Sequence, residues 1–316
     1  MEIHRSAGNS HIDVPRGTFT WLSGGNGGII GQNNPDDVPI ASNKRIIAVT
    51  NQKGGVGKTT TAINLAAALA TADRRVLLVD GDPQGNATSG LGVSVTAETA
   101  SLYEVLLGQS DARSVIRRQV HLPKLDLLPA TPDLAGAEVE LVNEEGRESR
   151  LSRALSGFED YYDYVLVDCP PSLGLLTINM LAAANSILIP LQCEYFALEG
   201  LTQLLRTVHM VKERLKPDLE LGGVLLTMYD SRLNLSRQVA EDTRQHFGEL
   251  VFKAVIPRNI RLAEAPSFGK PIMLYDIASV GSASYMLVAK ELMERTETND
   301  SSASSLVPET TEAAAI

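Results

Sequence analysis

Lys53-Gly54-Gly55-Val56-Gly57-Lys58-Thr59-Thr60 follows an apolar run over 46–50 and opens an alanine-rich stretch that reads as a helix over 58–71. A strand that ends in a glycine-rich turn and starts a helix aims several backbone N–H groups, and the positive end of a helix dipole, at one spot. Such a spot binds phosphate. Gly54, Gly55 and Gly57 flank Val56 and omit the Cβ atoms that would block close approach. Lys58 is placed to reach β- and γ-phosphates, the Thr59 hydroxyl to ligate Mg²⁺, and Thr60 to touch an α-phosphate. The ordinary phosphate-loop pattern would have glycine at position 52, where this chain has Gln52, and it adds a lysine, Lys53, before the paired glycines. A second lysine there makes sense if it neutralises phosphate charge in another subunit's site.

Outward from the loop, short β-branched runs alternate with longer helical stretches, the signature of βαβ units and a parallel sheet. Strands are predicted at 46–50, 75–80, 125–128, 164–168, 186–190, 223–227 and 251–256. Helices are predicted at 58–71, 173–184, 198–215, 235–247 and 282–294, with others around 101–107 and 133–156. In open parallel sheets the carboxyl ends of the strands converge on the ligand crevice. Asp80 and Asp82 follow the second strand, and Asp168 ends the fourth, Tyr164-Val165-Leu166-Val167. Asp168 is expected to hold Mg²⁺ through a water, Asp82 to orient an attacking water, and Asp80 to support the metal shell or the loop. The expected fold class is an α/β P-loop NTPase with a mostly parallel central sheet and helices on both faces.

The 316 residues suffice for a sizeable core, and 44% hydrophobic content with one Trp and six Phe describes an aliphatic interior. Cys169 and Cys193 have neither disulfide nor metal-knuckle spacing. No apolar run approaches the roughly 18 residues needed to span a bilayer, so a soluble, cytoplasmic protein without a membrane partner is expected. Residues 1–43, rich in Gly, Asn, Ser and Pro, read as a disordered arm, 44–295 as the ATPase domain, and 296–316 as a disordered acidic tail. The arm holds −2 and the tail −4 of the net −10, leaving −4 on the folded part, which permits a local basic patch.

NQKGGVGKTT, VLLVDGDPQGNATSGLG, LPATPDLAGAEVEL, DYVLVDCPPSLGLLTINML, LQCEYFALEGLTQLL and VIPRNIRLAEAPSFGKPIMLYD together resemble the ParA/Soj partitioning ATPases, with their deviant Walker A loop, over roughly 44–295. The resemblance implies a homodimer with ATP sandwiched at its interface, Lys53 crossing to the partner's nucleotide, and Asp82 needed for hydrolysis. It implies adenine recognition by the loop at Met228 and by Pro257, Arg258 and Asn259. It implies nucleoid association through non-specific DNA binding by the ATP dimer, and a ParB-like centromere-binding protein that stimulates hydrolysis. Candidate DNA contacts are Arg206, Lys212 and Arg214, with Arg232 placed first because His209 stands where an arginine is often found.

Four rival readings exist, one of them a DNA-free, non-hydrolysing binding protein, against which intact Lys58, Thr59, Asp82 and Asp168 argue. A membrane-associated MinD-like regulator would need a basic amphipathic C-terminal helix, which the tail after Arg295 lacks. A nitrogenase-reductase-like protein would need cluster-ligating cysteines, a pattern Cys169 and Cys193 do not make. A positioning ATPase for a non-DNA cargo would share the switch and differ only in its docking surface.

Overall fold

The computed structural model describes residues 45–304 apart from 97, 195 and 196, with the backbone alone for 197–200 and 298–304. The arm expected over 1–43 and the last residues of the expected tail lie outside the described residues.

Six strands form one parallel sheet in the order β3-β2-β4-β1-β5-β6: β1 Ile46–Val49, β2 Val76–Asp80, β3 Leu125–Leu128, β4 Tyr164–Asp168, β5 Ser186–Gln192 and β6 Glu220–Thr227. The helices are α1 Lys58–Thr71, α2 Asn86–Gly90, α3 Leu102–Leu107, α4 Ala112–Val115, α5 Leu134–Glu140, α6 Arg150–Ala154, α7 Leu175–Ala183, α8 Ala197–Arg214, α9 Asn234–Phe247, α10 Ile260–Glu264, α11 Ile272–Tyr275 and α12 Val280–Ser304.

Alternation along each strand feeds two cores. Ala48, Leu77, Val79 and Val167 pack toward α3, α7 and α8, while Ile47, Val49, Leu78 and Leu166 pack toward α1 and α12. Burial on both faces explains why the strands read as continuous apolar runs. Helix α1 is buried almost throughout, from Thr61 to Ala70, because its alanines let it fit between the sheet and α12.

Three expected elements differ. The strand predicted at 251–256 is not a regular ladder. Phe252 N–H donates to Val224 O at 2.9 Å and Ile256 N–H to Leu226 O at 2.9 Å, yet the intervening Lys253 and Ala254 N–H groups donate to the Glu291 carboxylate of α12. A side chain thus replaces a neighbouring strand. The long helix predicted over 133–156 is broken into α5, a 3₁₀ turn at Arg147–Ser149 and α6, with Gly146 left-handed at φ 64° between them. At the other end, α12 runs ten residues beyond the predicted 294, to Ser304, through the start of the expected tail.

Candidate nucleotide site

Register sets the site. Val49 pairs with Asp168 and Asp80 pairs with Asp168, so β1, β2 and β4 end at one level, with the loop of residues 50–57 beside them. Asn51, buried, fixes this loop to β5: its Nδ2 donates to Pro190 O at 2.8 Å and its Oδ1 accepts from Lys53 N–H at 3.0 Å. From the other side, Thr227 Oγ1 at the end of β6 donates to Val56 O at 2.8 Å. Gly55 and Gly57 are left-handed, at φ 72° and 88°, which L side chains avoid. Gly54 is different. Its φ is ordinary and an added Cβ would meet nothing within 4 Å, so no internal contact calls for glycine there. A Cβ at Gly55 would likewise meet nothing within 4 Å, and at the start of α1 no side chain caps the helix, so the first-turn N–H groups of Lys58, Thr59 and Thr60 have no intrahelical partner.

Lys58 is buried, and its ammonium donates to Lys53 O at 3.1 Å. Burial lowers its pKa, opposed by the negative charges of Asp168 and Asp82 nearby. Asp168 has no solvent exposure, and neither carboxylate oxygen has a hydrogen-bond partner. Burial and the neighbouring Asp80 push its pKa well above the usual carboxylate range; the facing Thr59 hydroxyl and Lys58 pull the other way without satisfying it. A buried, unmatched carboxylate beside a hydroxyl and an anion-binding loop fits a divalent cation that takes its remaining ligands from phosphate and water.

Asp80 is already engaged. Its Oδ2 accepts the Thr88 N–H and hydroxyl, each at 2.7 Å, and its Oδ1 accepts Asp82 N–H at 3.3 Å. Burial still raises its pKa to about 6. Of the two roles expected for Asp80, support of the metal shell or of the loop, these hydrogen bonds display the second, since both oxygens accept donors from the segment after β2. Thr88, which carries this link, has no sequence signal, since a Ser/Thr eight residues past an aspartate carries no pattern. Asp82 is buried, and its Oδ1 accepts Gln84 N–H at 2.9 Å, an aspartate-initiated turn that fixes the carboxylate. Cys169 is buried beside Asp168 and burial pushes its thiol pKa up, consistent with an inert packing residue.

The expected adenine segments are adjacent. Tyr229 N–H donates to Ile256 O at 3.0 Å, Arg258 N–H donates to Tyr229 O at 3.2 Å, and Asn259 Oδ1 accepts Leu262 N–H to start α10. Met228, Pro257, Arg258 and Asn259 therefore share one wall, tied to the phosphate loop through Thr227. Lys53 is half exposed and pairs with Glu194 at 3.1 Å, a partner 141 positions away that sequence spacing could not reveal. The candidate DNA cations are dispersed. Arg206 and Arg214 are exposed on α8 with Lys212, whereas Arg232 follows β6 and its fork is held by Asp230 at 2.7 and 2.9 Å. His209 lies 3.2 Å from Glu213.

A parallel sheet with a glycine loop and buried Lys58 and Asp168 at its carboxyl edge defines the class of P-loop nucleotide-binding ATPases, and the AAA domain family matches residues 44–221. The chain is 59% identical over 251 residues to the chromosome partitioning protein ParA of Myxococcus xanthus, covering 79% of this chain and 88% of that one. It is 56% identical over 248 residues to the sporulation initiation inhibitor protein Soj of Bacillus subtilis, covering 78% and 98%. A crystal structure named cobyrinic acid a,c-diamide synthase, from Mycobacterium smegmatis with a bound ATP analog and magnesium, superimposes with a TM-score of 0.70 at 42% identity, covering 81% and 96%. The chain belongs to the ParA/Soj family of chromosome-partitioning ATPases. Among the described residues, no helix is long and apolar enough to cross a membrane.

Proposed function

We propose that this chain is an ATP-dependent dimerising switch that binds DNA without sequence preference and hydrolyses ATP to drive chromosome or plasmid segregation with a ParB-like partner. The observation that carries the reading is Asp168: a fully buried carboxylate with both oxygens unmatched, next to an open glycine cradle. A group that costly to bury is retained where a cation completes it.

Bound Mg·ATP supplies the phosphoanhydride and the metal's charge. Thr59, with Asp168 through a water, would hold the metal, and Lys58 and the N–H groups from Gly54 to Thr60 would neutralise and orient the phosphates. Asp82, kept in place by Gln84 N–H, positions the attacking water. Lys53 leaves Glu194 and crosses to the partner's phosphates, so that each subunit completes the other's site. Met228, Pro257, Arg258 and Asn259 enclose the adenine. Arg206, Lys212, Arg214 and Arg232 contact DNA phosphates, and dimerisation doubles their number in one footprint. Hydrolysis then releases DNA, and the protein works in the cytoplasm on the nucleoid.

The test is binding to non-specific duplex DNA with ATP, with ADP and without nucleotide, at two salt concentrations, for wild type and Lys58→Ala. ATP-dependent, salt-sensitive binding that Lys58→Ala abolishes is expected. ATP-driven dimerisation without DNA binding in any state would instead favour a positioning ATPase for a non-DNA cargo.

A further inference from the structure

Asp230 stands between the two surfaces that such a switch must couple. Its carboxylate accepts three donors from Arg232: N–H at 3.0 Å, Nε at 2.9 Å and Nη2 at 2.7 Å. Its own N–H donates to Ser236 Oγ at 3.1 Å, at the buried start of α9. The two side chains differ in access: 14% of the Asp230 side chain is exposed, against 86% for Arg232. Arg232 thus projects a guanidinium to solvent, but a covered carboxylate cancels its charge.

Toward the nucleotide site, only Tyr229 separates Asp230 from Met228, a non-glycine residue held left-handed at φ 50°. Tyr229 is clamped through its N–H and its C=O to the 256–258 segment. The hydrogen bonds from Arg232 hold the carboxyl well below its usual range, at about 2, with a smaller contribution from Arg258, so the carboxylate stays charged at any physiological pH; Arg258 follows Pro257, which pairs in parallel with Tyr229, and so lies across from Asp230 along the backbone. One carboxylate therefore has two cations within its field, Arg232 facing solvent and Arg258 on the candidate adenine wall.

We propose that Asp230 is a shared positioning residue: it neutralises Arg232 in the nucleotide-free protein and, when nucleotide reorders the Met228–Arg258 wall, turns to Arg258 and leaves Arg232 to a DNA phosphate. The inference rests on the DNA-binding reading above and adds how that surface senses the nucleotide. A chelated Arg232 releases few counterions from DNA, whereas a freed one adds a phosphate contact in each subunit.

The experiment measures duplex DNA affinity of the full chain without nucleotide, with ADP and with ATP, across a salt series, for wild type, Asp230→Asn, Arg232→Ala and the double variant. Asp230→Asn is expected to tighten nucleotide-free binding several-fold and ATP-state binding much less, shrinking the ratio between the states and steepening the nucleotide-free salt slope by about 1 per subunit. Arg232→Ala is expected to remove that gain. Asp230→Ser keeps an acceptor for the Arg232 N–H without the charge, so it should reproduce Asp230→Asn and guards against a folding defect. Equal tightening in every nucleotide state, or a gain that survives Arg232→Ala, would overturn the shared role. Absence of wild-type DNA binding in all states would reject the proposed function itself, whereas ATP-dependent wild-type binding with an unchanged ratio in Asp230→Asn rejects only this inference.

Discussion

Asp80 and Asp168 store an electrostatic cost in the nucleotide-free protein. Both titrate above their unfolded values, so the folded protein keeps protons that the unfolded chain releases, and stability falls as pH rises past the unfolded carboxylate range. For Asp80, a rise from 3.8 to about 6 spreads that loss over the window between these values and amounts to about 3 kcal/mol above it. Asp168 adds in the same direction and over a higher range, since its pKa is pushed well above that of an ordinary carboxylate. Urea unfolding of the nucleotide-free chain should accordingly show greater stability at pH 5 than at pH 7.5. Asp168→Asn should raise stability at pH 7.5 and flatten the profile, while losing Mg·ATP binding. A midpoint that rises with pH, or an Asp168→Asn variant less stable than wild type at pH 7.5, would mean the carboxylate is satisfied in a way the geometry does not show.

At the scale of elements, the segment over 251–257 depends on a helix rather than on a strand partner. Glu291 of α12 accepts Lys253 N–H at 2.9 Å and Ala254 N–H at 3.0 Å, and it is gripped by Arg295 at 2.7 Å. Glu291→Ala strands two backbone donors, one of them partly buried, while Arg295 keeps its bonds to Leu250 O and Val251 O, and should cost about 1–3 kcal/mol in denaturant unfolding. Because the same segment continues into Pro257, Arg258 and Asn259, the variant should also bind adenine nucleotide less tightly than inorganic phosphate contacts alone would suggest, seen as a larger fall for ATP than for tripolyphosphate. A loss below about 0.5 kcal/mol, the range of an ordinary surface change, would show that the tether is dispensable.

For the whole molecule, the proposed switch would separate dimerisation from hydrolysis at two residues. Asp82 is held by its own turn, and Asp80 grips the loop through Thr88, so Asp82→Ala removes a carboxylate from the crevice while leaving the phosphate loop intact. Light scattering with Mg·ATP should show an Asp82→Ala dimer that persists, with phosphate release reduced at least tenfold. Lys53→Ala, which deletes the charge proposed to cross to the partner's nucleotide, should remain monomeric under the same conditions. Wild-type turnover in Asp82→Ala, or an ATP-dependent dimer of Lys53→Ala, would withdraw the corresponding role.

The sequence by itself determined the phosphate loop, the parallel α/β class and the family, because these depend on short-range order: a glycine turn between an apolar run and a helix, and carboxylates at the ends of apolar strands. It placed β1, β3, β4 and α1 to within a residue or two, since burial on both faces of a parallel sheet leaves uninterrupted apolar runs. Only the tertiary structure decided which carboxylate is spent on the loop and which is left open, because Thr88 bonds Asp80 while neither oxygen of Asp168 has a hydrogen-bond partner. It also decided that 251–256 is tethered by Glu291, that Lys53 rests on Glu194, and that Arg232 is neutralised by Asp230. The first two join residues far apart in sequence, and the third depends on a turn geometry that residue identity alone does not specify; hydrogen bonds and ion pairs follow distance in space, which chain order does not encode.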